Sequence, residues 1–160
     1  MSHEVEIGRG KRGRRAYTLD DIALVPARRT RDPEDVNVGW QIDAYHVDIP
    51  LMAAPMDSVM SPETAIAFGR LGGIGVLDLD GLWTRYEDPT PILDQIAHLG
   101  EEESIATLQR VYSEPIKPSL ITERLKQLRE AGVVVAGKLS PQRVQQHWRA
   151  VVDAGVDLFI

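Results

Sequence analysis

One junction recurs three times along this chain: RLGGIGVL at Arg70–Leu77, REAGVVVA at Arg129–Ala136 and VDAGVDLF at Val152–Phe159. Each joins the end of a helical pattern to a glycine and then to an apolar run, the order expected where a helix is stopped and a buried strand begins. Helices alternating with such strands require a parallel sheet with crossover helices. Four strands are predicted, over Pro50–Ala54, Ile74–Leu77, Val133–Ala136 and Val156–Ile160. That is half of a (β/α)8 barrel or a small doubly wound sheet. The sequence stops on Phe159-Ile160, inside an apolar strand with no loop or helix after it. This favours an α/β fold that is the N-terminal half of a (β/α)8 TIM barrel, apparently truncated, behind an irregular N-terminal arm.

The richest stretch is Ile49–Leu77, IPLMAAPMDSVMSPETAIAFGRLGGIGVL. It reads as strand, tight polar loop, helix, glycine turn and strand. Its loop, Pro55-Met56-Asp57-Ser58, falls at the carboxyl end of the first strand, where α/β proteins place ligands. Ala53 and Ala54 are small enough for a ligand to approach the backbone. Ser61 suits an N-cap, Pro62 the first helical position, and Glu63 the positive end of the helix.

Elsewhere the signals are weaker. Residues 1–16 look irregular, and GRGKRG lacks the preceding strand and following apolar helix of a dinucleotide fingerprint. Tyr17–Pro26 reads as a short packed segment closed by Pro26, its Asp20-Asp21 pair acting as caps. Val36–His46 predicts a hairpin with Gly39 as bulge or turn, and Trp40 and Tyr45 packing over one end of the fold. Asp78 and Asp80 would share a face if the strand ran on, but two aspartates without a nearby histidine assign no metal. His3, His46, His98 and His147 show no ligand spacing. Residues 82–118 form a helical insertion, with a helix over Ile92–Leu99 and another begun by Glu101, Glu102 and Glu103. Further on, Ile121, Leu125 and Leu128 share one helix face, and Ser140-Pro141 repeats the capped start of Ser61-Pro62. Val144, Trp148, Val151 and Val152 line a face of the last helix. The domains divide as 1–48, arm and hairpin, and 49–160, the first strands and helices of the barrel.

Charge and length limit the function classes. The 160 residues can bury one sizeable core. Residues 1–15 carry five basic and two acidic side chains of totals of 18 and 24, leaving 13 − 22 = −9 for the remainder. That argues against a broad nucleic-acid surface, although the basic arm could meet a phosphate or an acidic neighbour, or simply be solvated. No apolar run approaches the ~20 residues that span a bilayer. The absence of cysteine removes disulfides and thiol nucleophiles and suits a cytoplasmic protein.

The segments YTLDDIALVPA, IPLMAAPMDSVMSPETAIAFGRLGGIGVLDLDG and AGVVVAGKLSPQR…VVDAGVDLFI resemble the front of the IMP dehydrogenase/GMP reductase family, above all its IMP-dehydrogenase-related branch. The likeness runs from about Tyr17 to Ile160, and APMDSV followed by GGIGV is its specific combination. It implies a (β/α)8 barrel that transfers a hydride between a purine nucleoside monophosphate (IMP, XMP or GMP) and NAD or NADP, through a purine adduct on a cysteine. It places Ala54, Met56 and Asp57 in the substrate-binding loop, with Met56 against the base and Ala54 beside the nucleotide. Gly137 and Ser140 fall in a loop that in relatives lies toward the dinucleotide, although Ser140 serves equally well as a helix cap. The resemblance also admits a monovalent cation and implies a homo-oligomer, a tetramer, with no nucleic-acid or membrane partner.

Two departures qualify the likeness. Only 55 residues separate Leu77 from Val133, too few for the pair of cystathionine-β-synthase-type regulatory domains common in the dehydrogenases. LDLDG replaces the stretch with His or Lys that usually follows GGIGV. The family's cysteine, main phosphate-binding glycines and flap are expected downstream of Ile160, so no catalytic residue is assigned, and these 160 residues alone are expected to be inactive. GMP reductase activity specifically, or a catalytically inactive nucleotide-binding homologue, remain the alternative functions.

Overall fold

The computed structural model describes residues 4–25 and 32–160, which divide into two compact units, Met1–Asn37 and Val38–Ile160. In the first unit, β1 (Glu4–Glu6) and β2 (Arg12–Arg14) pair antiparallel, so the arm carries a short hairpin where irregular chain was expected. The reason lies in GRGKRG: Gly8 and Gly10 take φ of 66° and 73°, the left-handed turn conformation that glycine adopts without penalty. Ile7 N donates to Lys11 O across the turn. A strand therefore does precede this glycine-rich stretch, but another strand follows it, and the helix of a dinucleotide site is missing. Farther on, the Asp21 carboxylate accepts from the Thr18 amide at 2.9 Å and hydroxyl at 3.0 Å, the capping role expected of this aspartate pair. The surrounding segment is not packed: Leu19, Leu24 and Val25 are exposed, Leu24 completely. Pro26 and His3 lie outside the described residues.

The second unit contains the barrel strands. A hairpin, β3 (Trp40–Ile42) and β4 (Tyr45–Val47), turns at Asp43, whose φ is 48°. The turn is thus at Asp43-Ala44 rather than Gly39, because an Asp tolerates the left-handed conformation. Four strands follow: β5 (Met52–Ala53), β6 (Ile74–Asp78), β7 (Ala136–Lys138) and β8 (Leu158–Phe159). They form one parallel sheet in the order β5-β6-β7-β8, each strand beside its neighbour in sequence. The ladder of β7 starts at Ala136, three residues later than the apolar run suggests, since Val133 packs under Gly69 and Val135 receives the amides of Asp157 and Leu158.

Five helices connect the strands of this second unit: α1 (Pro62–Arg70), α2 (Thr90–Ala97), α3 (Glu101–Val111), α4 (Pro118–Glu130) and α5 (Pro141–Asp153). Ser61 Oγ accepts from Thr64 N at 3.1 Å, as its N-cap position requires. The two sheet faces are distinct. Ile74, Val76 and Ala136 point to the face covered by Val47 of the hairpin, with Ile42 and Leu158 packed beside them. Leu77 and Val135 point the other way, into a cluster with Ala65, Ile121, Leu125, Leu128 and Val151 of the helices. Gly75 allows that packing, because a Cβ there would sit 2.5 Å from Ala65 Cα. On α5 only Val151 is fully buried, while Trp148 and Val152, expected on its packed face, are exposed. This architecture is the N-terminal half of a (β/α)8 barrel.

Candidate substrate loop at the carboxyl end of the sheet

The loops after β5, β6 and β7 all leave the carboxyl end of the sheet, and charged hydrogen bonds tie them together. After β5 the chain makes a compact turn. Met56 N donates to Ala54 O at 2.9 Å, and the amides of Val59 and Met60 donate to Met56 O at 3.0 and 2.8 Å. Met60 anchors the turn in the core, while Ala54 and Met56 stay at the surface, Met56 half exposed. The sequence-predicted residues Ala54 and Met56 are thus brought side by side, facing solvent.

Asp57 behaves differently. Its Oδ2 accepts from Leu82 N at 2.7 Å and from the Tyr112 hydroxyl at 2.5 Å. Its Oδ1 is buried without a partner, pressed toward Gly81, where a Cβ would lie only 2.1 Å away. The carboxylate therefore braces the loop after β6 and the end of α3. Burial, with Asp57 next, pushes the Tyr112 phenol well above its ordinary value, so its hydroxyl remains a donor throughout the physiological range.

Asp78 and Asp80 meet at Lys138. The Lys138 ammonium lies 3.5 Å from Asp78 Oδ1 and 3.4 Å from Asp80 Oδ2, so the cation between the two carboxylates comes from the chain itself. Among the described residues no group of three or more His, Cys, Asp or Glu could hold a metal ion. Asp80 Oδ2 also accepts from Ser140 N at 2.6 Å, which fastens the start of α5 to the loop after β6. Burial pushes the Asp78 carboxyl up, against the pull of the Asp80 amide and Lys138. Gly137 is buried, and a Cβ on it would meet Leu79 at 2.7 Å, so its missing side chain serves packing. Ser140 spends its amide on Asp80.

Two buried arginines hold the insertion in place. Arg85 Nε donates to Asp80 O at 3.0 Å, its Nη1 donates to Glu114 O, and its guanidinium lies 5.6 Å from the Tyr112 ring centre. Arg124 of α4 donates to Trp83 O at 3.0 Å and Glu87 O at 2.5 Å. Neither was singled out from sequence. The available signal was Arg124 itself, a charge on the same stripe as Ile121, Leu125 and Leu128, which in a soluble helix implies a buried partner.

A parallel sheet with crossover helices, its polar loops gathered at one end, is the arrangement of the α/β barrels, whose ligand sites lie at that end. Within that class, the chain belongs to the IMP dehydrogenase/GMP reductase family: the profile of the IMP dehydrogenase / GMP reductase domain matches residues 16–160. The chain is 42% identical over 161 residues to an uncharacterized oxidoreductase of Mycolicibacterium smegmatis, covering 98% of this chain and 43% of that one. It is also 42% identical over 64 residues to the inosine-5'-monophosphate dehydrogenase of Methanocaldococcus jannaschii, covering 40% of this chain and 13% of that protein. The crystal structure of an IMP dehydrogenase/GMP reductase-like protein from Corynebacterium glutamicum superposes with a TM-score of 0.81 at 41% identity. That alignment covers 98% of this chain and 43% of the crystallised one. The chain thus spans less than half the length of these two relatives from Mycolicibacterium smegmatis and Corynebacterium glutamicum. The oxidoreductase family is established by these matches, and no helix among the described residues is long and apolar enough to cross a membrane.

Proposed function

We propose that the complete polypeptide carrying this sequence is an oxidoreductase of purine nucleoside monophosphates, transferring a hydride between IMP, XMP or GMP and NAD or NADP. The observation that supports it best is the pairing of Ala54 and Met56 at the carboxyl end of β5, on a turn anchored by Met60 and Asp57. A polarisable thioether presented beside a small residue offers a flat base both a contact surface and room to approach. In this reading Met56 packs on the purine, Ala54 lies beside the nucleotide, and Asp57 fixes the geometry of both. In this reading Gly137 and Ser140 lie in the loop toward the dinucleotide, and the cysteine nucleophile comes from another segment, since these residues contain no cysteine. A cytoplasmic homo-oligomer, a tetramer as in the family, completes the proposal.

The test is to assay the complete gene product with IMP plus NAD and with GMP plus NADPH, alongside calorimetric titration by each nucleotide. Turnover in one pairing identifies the direction. Binding without turnover points to an inactive homologue, and neither binding nor turnover overturns the purine reading.

A further inference from the structure

The α2–α3 pair is tied to the proposed substrate loop by the side chain of Tyr112. α2 buries none of its residues and α3 buries only Val111, so this pair has little packing of its own. Tyr112, the residue that ends α3, reaches across 55 positions of sequence to Asp57 Oδ2 at 2.5 Å. Its position is itself prescribed: Arg85 lies over its ring, and the neighbouring Val111 carbonyl accepts from the Tyr86 hydroxyl at 3.1 Å. From Asp57 the connection to Met56 is one peptide unit, inside a turn in which the Met56, Val59 and Met60 amides bond within residues 54–60.

We propose that Tyr112 is a positioning residue for the purine-contact loop, through which the α2–α3 insertion sets nucleotide affinity. The proposal rests on the purine reading above and assigns to the insertion a part in substrate recognition. Asp57 Oδ2 has two donors, Leu82 N and the Tyr112 hydroxyl, and Oδ1 has none. Loss of the phenol leaves a partly buried carboxylate with a single hydrogen bond, and the turn carrying Met56 loosens. Coupling of this kind is reciprocal, so nucleotide on Met56 also quiets the insertion.

The experiment uses the complete gene product and the Tyr112→Phe variant, which keeps the ring over which Arg85 lies and removes only the hydroxyl. Hydrogen exchange of the Val59 and Met60 amides is followed without nucleotide, with the Val76 and Leu77 amides of β6 as the internal control, and IMP affinity is measured by calorimetry. The expected result is faster exchange in the turn, unchanged exchange in β6, and an IMP dissociation constant raised about tenfold, the effect of one charge-assisted hydrogen bond. Asp57→Asn, which keeps an oxygen acceptor but loses its charge, shifts both readouts in the same direction by less. Unchanged exchange in the turn overturns the proposal, and so does faster exchange with unaltered affinity. Acceleration in β6 as well as the turn marks Tyr112 as merely structural and also overturns it. A wild-type protein that binds neither IMP nor GMP overturns the purine reading and this proposal together, an outcome distinct from a variant that behaves like wild type.

Discussion

Three donors converge on Asp157: the Tyr45 hydroxyl at 2.7 Å, Arg129 Nη2 at 2.9 Å and Val135 N at 2.9 Å. One carboxylate thereby joins the β3–β4 hairpin, α4 and the start of β7 to β8. Burial acts to raise its pKa, but these donors outweigh it and hold the carboxyl below its usual 3.8. The charged form is favoured by folding, so its contribution is present above pH 3.8 and is lost as pH falls through the lowered value. Asp157→Asn is therefore expected to cost roughly 2–3 kcal/mol at pH 7 and to flatten the acid limb of stability; urea denaturation between pH 2.5 and 7 measures both. Asp78 carries the opposite sign. Burial raises its pKa, so the neutral form is favoured and its contribution declines as pH rises from 3.8 through the raised value. Asp78→Asn should change stability at pH 7 by no more than about 1 kcal/mol, with the variant gaining relative to wild type as pH rises from 4 to 7. Neither role was legible in the sequence, where Asp157 sits inside an apolar run and Asp78 beside Asp80 resembles half a metal site. Their partners, Tyr45 and Lys138, are 112 and 60 residues away, and no local pattern encodes such pairings.

The elements themselves were far more legible. Each glycine that closes a helix and opens a strand was visible because it answers a local demand: Gly72, Gly132 and Gly155 all have positive φ. The cap at Ser61 and the prolines at the starts of α1 and α5 were legible for the same reason, whereas Pro118, which opens α4, reads in the sequence only as a break. What failed at this scale was the arm hairpin, whose strands are three residues long and lack any apolar alternation, and the exposed side of α5. Gly75 tests the central contact. A Cβ there would fall within 2.8 Å of Ala65 Cβ and carbonyl oxygen, so Gly75→Ala must push α1 off β6. The expected loss is about 1–3 kcal/mol, read as a lower urea midpoint with an unchanged slope. The placement of Ala54 and Met56 at the surface follows from element order alone, since a loop after a parallel strand falls at its carboxyl end. The inward turn of Asp57 does not, because it depends on Leu82 and Tyr112.

At the scale of the whole molecule, β5 and β8 each have a strand partner on one side only among the described residues. Leu51 and Met52 at one edge, and Phe159 and Ile160 at the other, are exposed apolar side chains, and Trp148 and Val152 of α5 are exposed as well. Unpaired edges of this kind template further pairing. A polypeptide of these 160 residues expressed by itself should therefore associate in a concentration-dependent way, which sedimentation velocity detects; a monomer across the micromolar range would contradict it. Phe159→Lys with Val152→Lys should shift the distribution toward monomer. The strict succession β5-β6-β7-β8 carries a consequence for synthesis. No strand has to wait for one made later than its immediate successor, and α1 can dock on β6 as soon as residue 78 has left the ribosome. Assembly can thus proceed in step with translation, each new strand finding its template already built, so that on the growing side only the newest strand is open to mispairing with another chain.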